Sequence, residues 1–117
     1  MSQPKFTPGP WFLSPDSKSN VRTHPKHTGT TLAIINGMPG TKTASQRRAL
    51  ANAHLIAAAP DLYAALEVLI TAPEQAVEAA SAGDVERYES AKKAIQDARL
   101  MAKRALAKAR GEEAHHA

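Results

Sequence analysis

The groups in this sequence that could do chemistry include a row of cations near residue 100. Lys92, Arg99, Lys103 and Arg110 are seven, four and seven residues apart, which places them on one stripe of a helix. Cations that converge in a partly dry pocket bind phosphate, and Arg99 and Lys103 are the preferred ligands because they lie mid-helix. In the alternative interpretation, these side chains lay their stems over a thin alanine surface and keep their charges in water.

A second set of candidate ligands lies near the predicted start of an earlier helix. Arg47 and Arg48 occupy that start, and Asn52 follows within two turns. Free amides and the helix dipole already favour an anion there, so nearby arginines add to an existing preference. Alternatively, the arginines are exposed solubilising residues and Asn52 hydrogen-bonds the preceding loop. Arg22, in a predicted strand, is a further candidate for binding the anion.

Two aromatic rings are candidates for stacking on a nucleobase. Trp11 follows the rigid segment Pro8-Gly9-Pro10, and a flat ring stacked on a base contributes about 1–3 kcal/mol. Tyr63 could cover a base in the same way. The alternative interpretation makes Trp11 the core anchor of a small domain and Tyr63 an edge of that core.

No catalytic motif accompanies these groups. The sequence has no cysteine, no P-loop, no Gly-x-Ser-x-Gly and no His-Glu-x-x-His. His24 and His27 have the spacing of metal ligands, but neither a nearby acid in sequence nor a helix supports them, so we expect no metal site. We predict a binding protein with no catalytic residue and no cofactor. A phosphodiesterase that uses His24 or His54 as a general base is the enzymatic alternative.

Length and composition predict one small domain over residues 1–117 that assembles with copies of itself. Alanine makes up about a fifth of the chain, and Leu, Ile, Val and Phe together fall below 20%, the level typical of a well-filled core. We therefore expect a homo-oligomer, a dimer or a hexamer, that completes its burial between subunits. The sequence has no signal region and no apolar stretch of about 20 residues, which predicts a cytoplasmic protein without a membrane partner.

Charge is distributed unevenly along the chain. The whole chain carries +4, residues 1–60 carry a net +6, and residues 92–110 contain seven bases and one acid. If the fold or an oligomer brings these two basic regions together, they form an anion site. Otherwise they are two solvated faces that aid solubility.

The chain divides into a sheet region, a helical region and a tail. Residues 1–42 contain a predicted hairpin (residues 11–13 and 20–22) and a β-branched run at residues 30–36. With helices in residues 45–111 and a flexible tail at 112–117, the fold class is α+β. We expect a small N-terminal antiparallel sheet of two or three strands, followed by antiparallel helices.

Turn and cap residues divide the helical region. Side-chain caps at residues 43–46 start a helix near residue 46, and Pro60 bends or splits it. Thr71 and Glu74 form a capping-box pattern, which predicts a separate short helix up to about residue 82. Gly83 and Asp84 then introduce a long last helix that ends at Gly111. Near-heptad spacing predicts that its buried residues are Val85, Tyr88, Ala91, Ile95, Ala98, Ala102, Ala105 and Ala109.

Two motifs resemble those of a known group of proteins. Residues 7–11 read Thr-Pro-Gly-Pro-Trp, and residues 52–66 read Asn-Ala-His-Leu-Ile-Ala-Ala-Ala-Pro-Asp-Leu-Tyr-Ala-Ala-Leu. Short proteins of tailed bacteriophages and prophages carry this pair, with leucine more usual where Tyr63 stands. The group is similar to the Thoeris anti-defence sponges, which bind cyclic ADP-ribose isomers and, in some members, cyclic oligonucleotides.

The resemblance implies a phage protein of the host cytoplasm that sequesters a cyclic nucleotide-type messenger and leaves it intact. Arg and Lys would then hold the phosphates, an aromatic ring would stack on the base, and Asn or His would read the base edge. The alternative is a small module that uses its basic helix to contact nucleic acid or protein, with steeply salt-dependent binding to long duplexes. A purely structural helical oligomer would bind neither class of ligand.

Overall fold

Three short strands and three helices make up the part of the protein that the structure describes. The computed structural model describes residues 5–14, 20–24, 29–34 and 44–112, with side chains in the first helix described from Arg47 onward. The elements are β1 (Phe12–Leu13), β2 (Asn20–Arg22), β3 (Thr31–Ile34), α1 (Ala44–Ala57), α2 (Ala59–Ala82) and α3 (Val85–Ala109). The predicted α+β class and N-terminal sheet are confirmed. Residue 43, the side chains of residues 44–46 and the tail from residue 113 lie outside the described part, so the side-chain caps predicted at residues 43–46 stay a prediction.

The sheet is antiparallel in the order β1-β2-β3. Val21 of β2 pairs with Leu13 on one side and Ala33 on the other. Its side chain is fully buried against Ala53 and Ala57 of α1. The sheet therefore packs on the first helix, as the inward-facing residue of a half-buried strand requires.

The first two helices abut with a 45° bend between them. Pro60 lies in the first turn of α2, where a missing backbone donor costs nothing, and the Ala58 amide still donates to the His54 carbonyl. Gly9 lies directly against this break, since a Cβ on Gly9 would fall 2.8 Å from Pro60 Cβ. The two sequence motifs therefore touch each other in the fold.

The helix α2 continues through Pro73 to Ala82, so the prediction of a separate helix from Thr71 is wrong. The Thr71 hydroxyl donates to the Glu67 carbonyl one turn earlier, at 2.9 Å, and does not cap a new helix. Continuity keeps Ala72 in line with the other buried alanines of α2, and this packing outweighs the backbone donor that Pro73 removes.

A tight turn joins α2 to α3 as predicted. Gly83 adopts a φ of 71°, and the Asp84 carboxylate accepts from the Arg87 amide at 3.1 Å. The helix α3 ends at Ala109, and Gly111 follows with a φ of 74°.

Alanine methyl groups form the contact between the two long helices. The buried residues of this alanine seam are Ala65, Ala72 and Ala79 on α2 and Ala91, Ala98 and Ala105 on α3. The prediction that Val85 and Tyr88 are also buried is wrong, because both are exposed. Small residues let helix axes approach closely, and a bulkier side chain at either position has no room in such a contact.

The antiparallel pair of α2 and α3, which we call the hairpin from here on, makes the molecule long and narrow, with extents of 63 × 25 × 25 Å. Within the described helices, none is by itself both long and apolar enough to cross a bilayer. The bent pair Arg47–Ala57 and Ala59–Ala82 meets these criteria only when counted together, on length and composition alone.

Candidate functional site

The predicted phosphate ligands Arg99 and Lys103 lie together in an open groove of about 200 Å³ on α3. We call it the Arg99 groove; its lining is Gln96, Arg99, Leu100 and Lys103. Both cations are exposed, and across the described ranges neither forms a hydrogen bond or ion pair. A guanidinium and an ammonium one helical turn apart, without a counter-ion, suit a phosphate oxygen pair. One helix supplies the whole lining, so the groove is open on its outer side.

The outer two cations of the predicted stripe have local partners. The Lys92 ammonium lies over the Tyr88 ring, 5.3 Å from its centroid, and Arg110 Nε pairs with a Glu112 carboxylate oxygen at 3.1 Å. The middle of α3 is therefore the part of the stripe best able to accept a new anion.

The structure brings the two predicted stacking rings together through a third ring, Phe6. The centroid of Phe6 lies 6.3 Å from that of Trp11 and 4.9 Å from that of Tyr63, with edge-on geometry in both pairs. The Trp11 indole N–H donates to the Thr7 carbonyl at 3.1 Å, and its ring packs on the core around Val21. These contacts are those of a core anchor. Tyr63 keeps 43% of its surface exposed and is the more available of the two rings.

The Arg22 side chain ties the second and third strands together. Its guanidinium donates to Thr31 Oγ1 at 2.6 Å and to the Gly29 carbonyl at 2.8 Å. These charge-assisted hydrogen bonds stabilise the pairing of β2 with β3, so a structural role accounts for this arginine.

The candidates on α1 lie at one end of the hairpin, apart from the Arg99 groove. Arg47, Arg48 and Asn52 are exposed, and His54 packs so closely on Gly111 that a Cβ there would lie 2.9 Å from the ring. At 1.5 Å per residue, Gly111 is about 18 Å along the chain direction from Arg99. The fold of one chain does not merge the two predicted basic sets into one pocket.

Sequence reasoning missed a larger groove of about 570 Å³ near the turn between α2 and α3. Its lining is Gln75, Glu86, Arg87, Ser90, Ala91 and Ala94. The sequence feature that could have indicated it is the pair Ala91 and Ala94, whose small side chains leave space on this part of α3. Glu86 lines the groove beside Arg87, so its charge is mixed and it favours an anion less than the Arg99 groove does.

Sequence reasoning also missed a contact between the start of α2 and the end of α3. Lys108 Nζ lies 3.1 Å from a carboxylate oxygen of Asp61 and 5.6 Å from the centroid of the Phe12 ring. It fixes the register of the helices: nine residues along α2 from Asp61 and nine residues back along α3 from Lys108 reach Ile70 and Arg99. Ile70 and Arg99 therefore lie at the same level of the hairpin.

Arg99 and the exposed apolar residue Leu66 of α2 lie on the same side of the helix pair. Leu66 follows the seam residue Ala65 by one position, and Arg99 follows Ala98 by one position. Each is thus rotated by roughly 100° from the contact in the same sense. Because the helices are antiparallel, equal rotations bring both side chains to the same side of the pair.

A metal site has no support in the part of the chain that the structure describes, where no three His, Cys, Asp or Glu side chains are grouped closely enough to hold an ion. His27, His115 and His116 lie outside that part.

The fold and the groove together define a class: a small α+β protein whose sheet braces a long helical hairpin with a basic groove on its surface. Residues 1–113 match the family model described as Salmonella phage P22 protein Y8K6. The chain belongs to this family and is a phage protein. Comparison with curated proteins and with solved structures gave no match.

Proposed function

We propose that this phage protein is an anti-defence sponge. It binds a cyclic nucleotide-type immune messenger, a cyclic ADP-ribose isomer or a cyclic oligonucleotide, in the host cytoplasm and holds it uncleaved. The supporting observation is the Arg99 groove, where Arg99 and Lys103 stand one turn apart on α3 and pair with no acid among the residues that the structure describes. The helix fixes the spacing of the two cations, and the charge-assisted hydrogen bonds to a phosphate must outweigh the side-chain freedom that both lose on binding.

The surroundings of the groove fit binding without cleavage. Its other lining residues, Gln96 and Leu100, supply neither a general base nor a nucleophile for attack on a phosphodiester. Tyr63 lies on α2 seven residues, or about 10 Å along the helix axis, from the level of Arg99. It precedes the buried Ala65 by two residues, which turns its ring away from α3, so the ring is not part of the Arg99 groove.

The second candidate is an interaction module that uses α3 to contact nucleic acid or a protein. The observation in its favour is that all four cations of the stripe, Lys92, Arg99, Lys103 and Arg110, are exposed. Three interspersed acids, Glu86, Glu89 and Asp97, weaken the attraction to a polyanion. This candidate predicts steeply salt-dependent binding to long duplexes and no response to small cyclic ligands.

The test is thermal unfolding of the purified protein with cyclic ADP-ribose isomers, cyclic dinucleotides and cyclic trinucleotides, with each ligand recovered afterwards by chromatography. A ligand at a hundred times its Kd stabilises the folded state by about 2.7 kcal/mol, which raises Tm by roughly 10 °C or more. A shift of this size with the ligand recovered intact supports the sponge. No shift with any ligand contradicts it, and a cleaved product would indicate an enzyme.

A matched pair of variants tests the assignment of the site. Arg99→Ala with Lys103→Ala should abolish the Tm shift. The control, Lys93→Ala with Arg104→Ala, removes the same charge from exposed positions of α3 outside the groove and should keep the shift. Equal loss in both double variants would show that only the overall charge matters.

A further inference from the structure

One long face of the hairpin is apolar. On both helices, residues one or four positions after an alanine of the seam, or three before it, point to the same side of the pair. We call this side the leucine face; its larger apolar members are Leu62, Leu66 and Leu69 on α2 and Tyr88, Ile95 and Leu106 on α3. None of the six is buried, and Leu66 and Leu106 keep 57 and 47% of their surfaces exposed.

The opposite face of the hairpin is the side on which the sheet packs. Asp61 and Lys108 lie there, four residues before Ala65 and three after Ala105, and their contact at 3.1 Å agrees with a shared side. The Lys108 ammonium also lies over the Phe12 ring of β1. The leucine face is therefore turned away from the described sheet.

We propose that two copies of the chain pack leucine face to leucine face about a twofold axis parallel to the helices. In this dimer, α2 of each copy lies on α3 of the other, and the product is a four-helix bundle in which each helix is antiparallel to both of its neighbours. The dimer does not rest on the proposed function. Gln96 and Lys103 of the Arg99 groove lie two residues before Ala98 and Ala105, so they point outward at the margin of the contact.

Charge complementarity selects a second copy as the occupant and also selects its orientation. The helix α2 contains four acids and no base, a net charge of −4. The helix α3 contains seven bases and three acids, a net charge of +4. An axis parallel to the helices sets each α2 against the α3 of the other copy, whereas an axis across the helices would set like charges on each other.

Symmetry also fixes the register of the dimer. Rotation about an axis parallel to the helices changes no level, so α2 meets α3 of the second copy at the level at which it meets its own α3. Thirteen residues along α2 from Asp61 and thirteen back along α3 from Lys108 reach Glu74 and Ile95. Lys92 is three residues from Ile95, so Glu74 of one copy lies within a turn of Lys92 of the other, across axes about 10 Å apart. Long side chains span that separation.

The size of the leucine face suits a stable dimer. The 24 residues of α2 extend about 36 Å, and two helices side by side are about 20 Å wide. The face therefore covers about 700 Å², comparable with the area of about 800 Å² that each partner buries in a stable complex. Leu62, Leu69, Ile95 and Ala102 would become the centre of the bundle, and their burial would add to a core that the alanine seam leaves thin.

Paired cysteines test the arrangement, because the natural chain has no cysteine. Sixteen residues along α2 from Asp61 and sixteen back along α3 from Lys108 reach Val77 and Lys92. The dimer brings Val77 of each copy beside Lys92 of the other. The variant Val77→Cys with Lys92→Cys should therefore give a covalent dimer, linked twice, under mild oxidation.

The single variants are the controls for this cross-link. Equivalent residues lie more than about 10 Å apart across the bundle, so neither Val77→Cys nor Lys92→Cys alone should cross-link. Val77, two residues before Ala79, points away from its own α3, which prevents a bond within one chain. A covalent dimer from either single variant, a ladder of larger products from the double variant, or no product from it overturns the proposed dimer.

Sedimentation equilibrium of the full chain tests the contact in solution. Leu106→Glu should raise the dimer Kd by roughly a hundredfold or more, because a carboxylate would be buried against the acidic α2 at two symmetric places. The control is Met101→Glu on the same helix; Met101 lies four residues before Ala105 and thus on the opposite face, with 41% of its surface exposed. It should keep the natural Kd. A monomeric natural protein, or equal loss in both variants, overturns the proposal, and circular dichroism checks that each variant is folded.

Charge reversal tests the orientation of the two copies. Glu74→Lys should raise the dimer Kd by roughly tenfold, because repulsion replaces attraction to Lys92 at two places, and adding Lys92→Glu to the same chain should restore most of the affinity. Glu78 lies one residue before Ala79 on the opposite face, so Glu78→Lys changes the net charge equally and should leave the Kd unchanged. Equal weakening by both lysine variants, or no recovery with Lys92→Glu, overturns the placement of α2 on α3.

Discussion

Replacement of Ala72 by leucine is expected to separate the two long helices. Ala72 is 2% exposed and Ala98 is 1% exposed. Counting from the contact between Asp61 and Lys108 towards the turn, the two alanines reach the same level to within one residue. Leucine adds three carbon atoms where one methyl group faces another, so the axes must move apart or the side chain must adopt a strained rotamer.

The expected cost follows from the burial of the site. Overfilling a packed contact typically costs about 1–3 kcal/mol, and each kcal/mol lowers Tm by about 4–8 °C in a domain somewhat smaller than this one. Ala72→Leu should therefore lower Tm by roughly 5–20 °C. Helix propensity contributes little, because alanine and leucine are both good helix formers.

The assay is thermal unfolding by circular dichroism at one fixed protein concentration, with Ala80→Leu as the matched control. Ala80 is exposed on the same helix, so the same substitution should change stability by no more than about 0.5 kcal/mol. Adding Ala98→Gly to Ala72→Leu opens space on the facing helix and should cost less than the sum of the single changes. If Ala72→Leu and Ala80→Leu have the same Tm, the alanine seam is not the contact between these helices.

Two further substitutions test the elements that hold the hairpin and the sheet in place. Gly9→Ala should destabilise the protein by about 1–3 kcal/mol, measured by urea unfolding, because its Cβ would lie 2.8 Å from Pro60; stability equal to that of the natural chain would contradict the close contact between the two motifs. Asp84→Ala should cost about 1 kcal/mol, because it leaves the Arg87 amide without its cap. Asp84→Asn should retain most of that stability in the same unfolding assay, and an equal loss in both variants would show that the charge of Asp84 matters more than its cap.

Local signals predicted the elements of the fold, and the failures lie where tertiary packing overrides them. Gly83 and Asp84 mark the turn because one supplies a positive φ and the other a cap, and both effects are local. Thr71 and Glu74 form an equally good local signal for a helix start. Only a helix that continues through Pro73 keeps Ala65, Ala72 and Ala79 on one face, and no local pattern at the proline shows this.

The candidate site was predictable only in part. The spacing of Arg99 and Lys103 placed them together because a helix fixes neighbours one turn apart. The position of Arg99 level with Ile70 of α2 depends on the register of α2 and α3. The contact between Asp61 and Lys108 reveals this register, and the sequence alone does not. Arg22 was predicted to bind an anion because of its charge, whereas the structure gives it partners in Thr31 of β3 and in Gly29, two residues before that strand.

On α2 the large apolar residues Leu66, Ile70 and Val77 are exposed, whereas alanines are buried. This arrangement has a consequence for mutational tolerance. In most domains, a buried position tolerates another large apolar residue better than a polar one. At Ala65, Ala72 and Ala79 the limit is set by size, so serine or glycine should be tolerated better than valine or leucine. A saturation mutagenesis map of α2 would then rank these positions by side-chain volume, and hydrophobicity would predict their tolerance poorly.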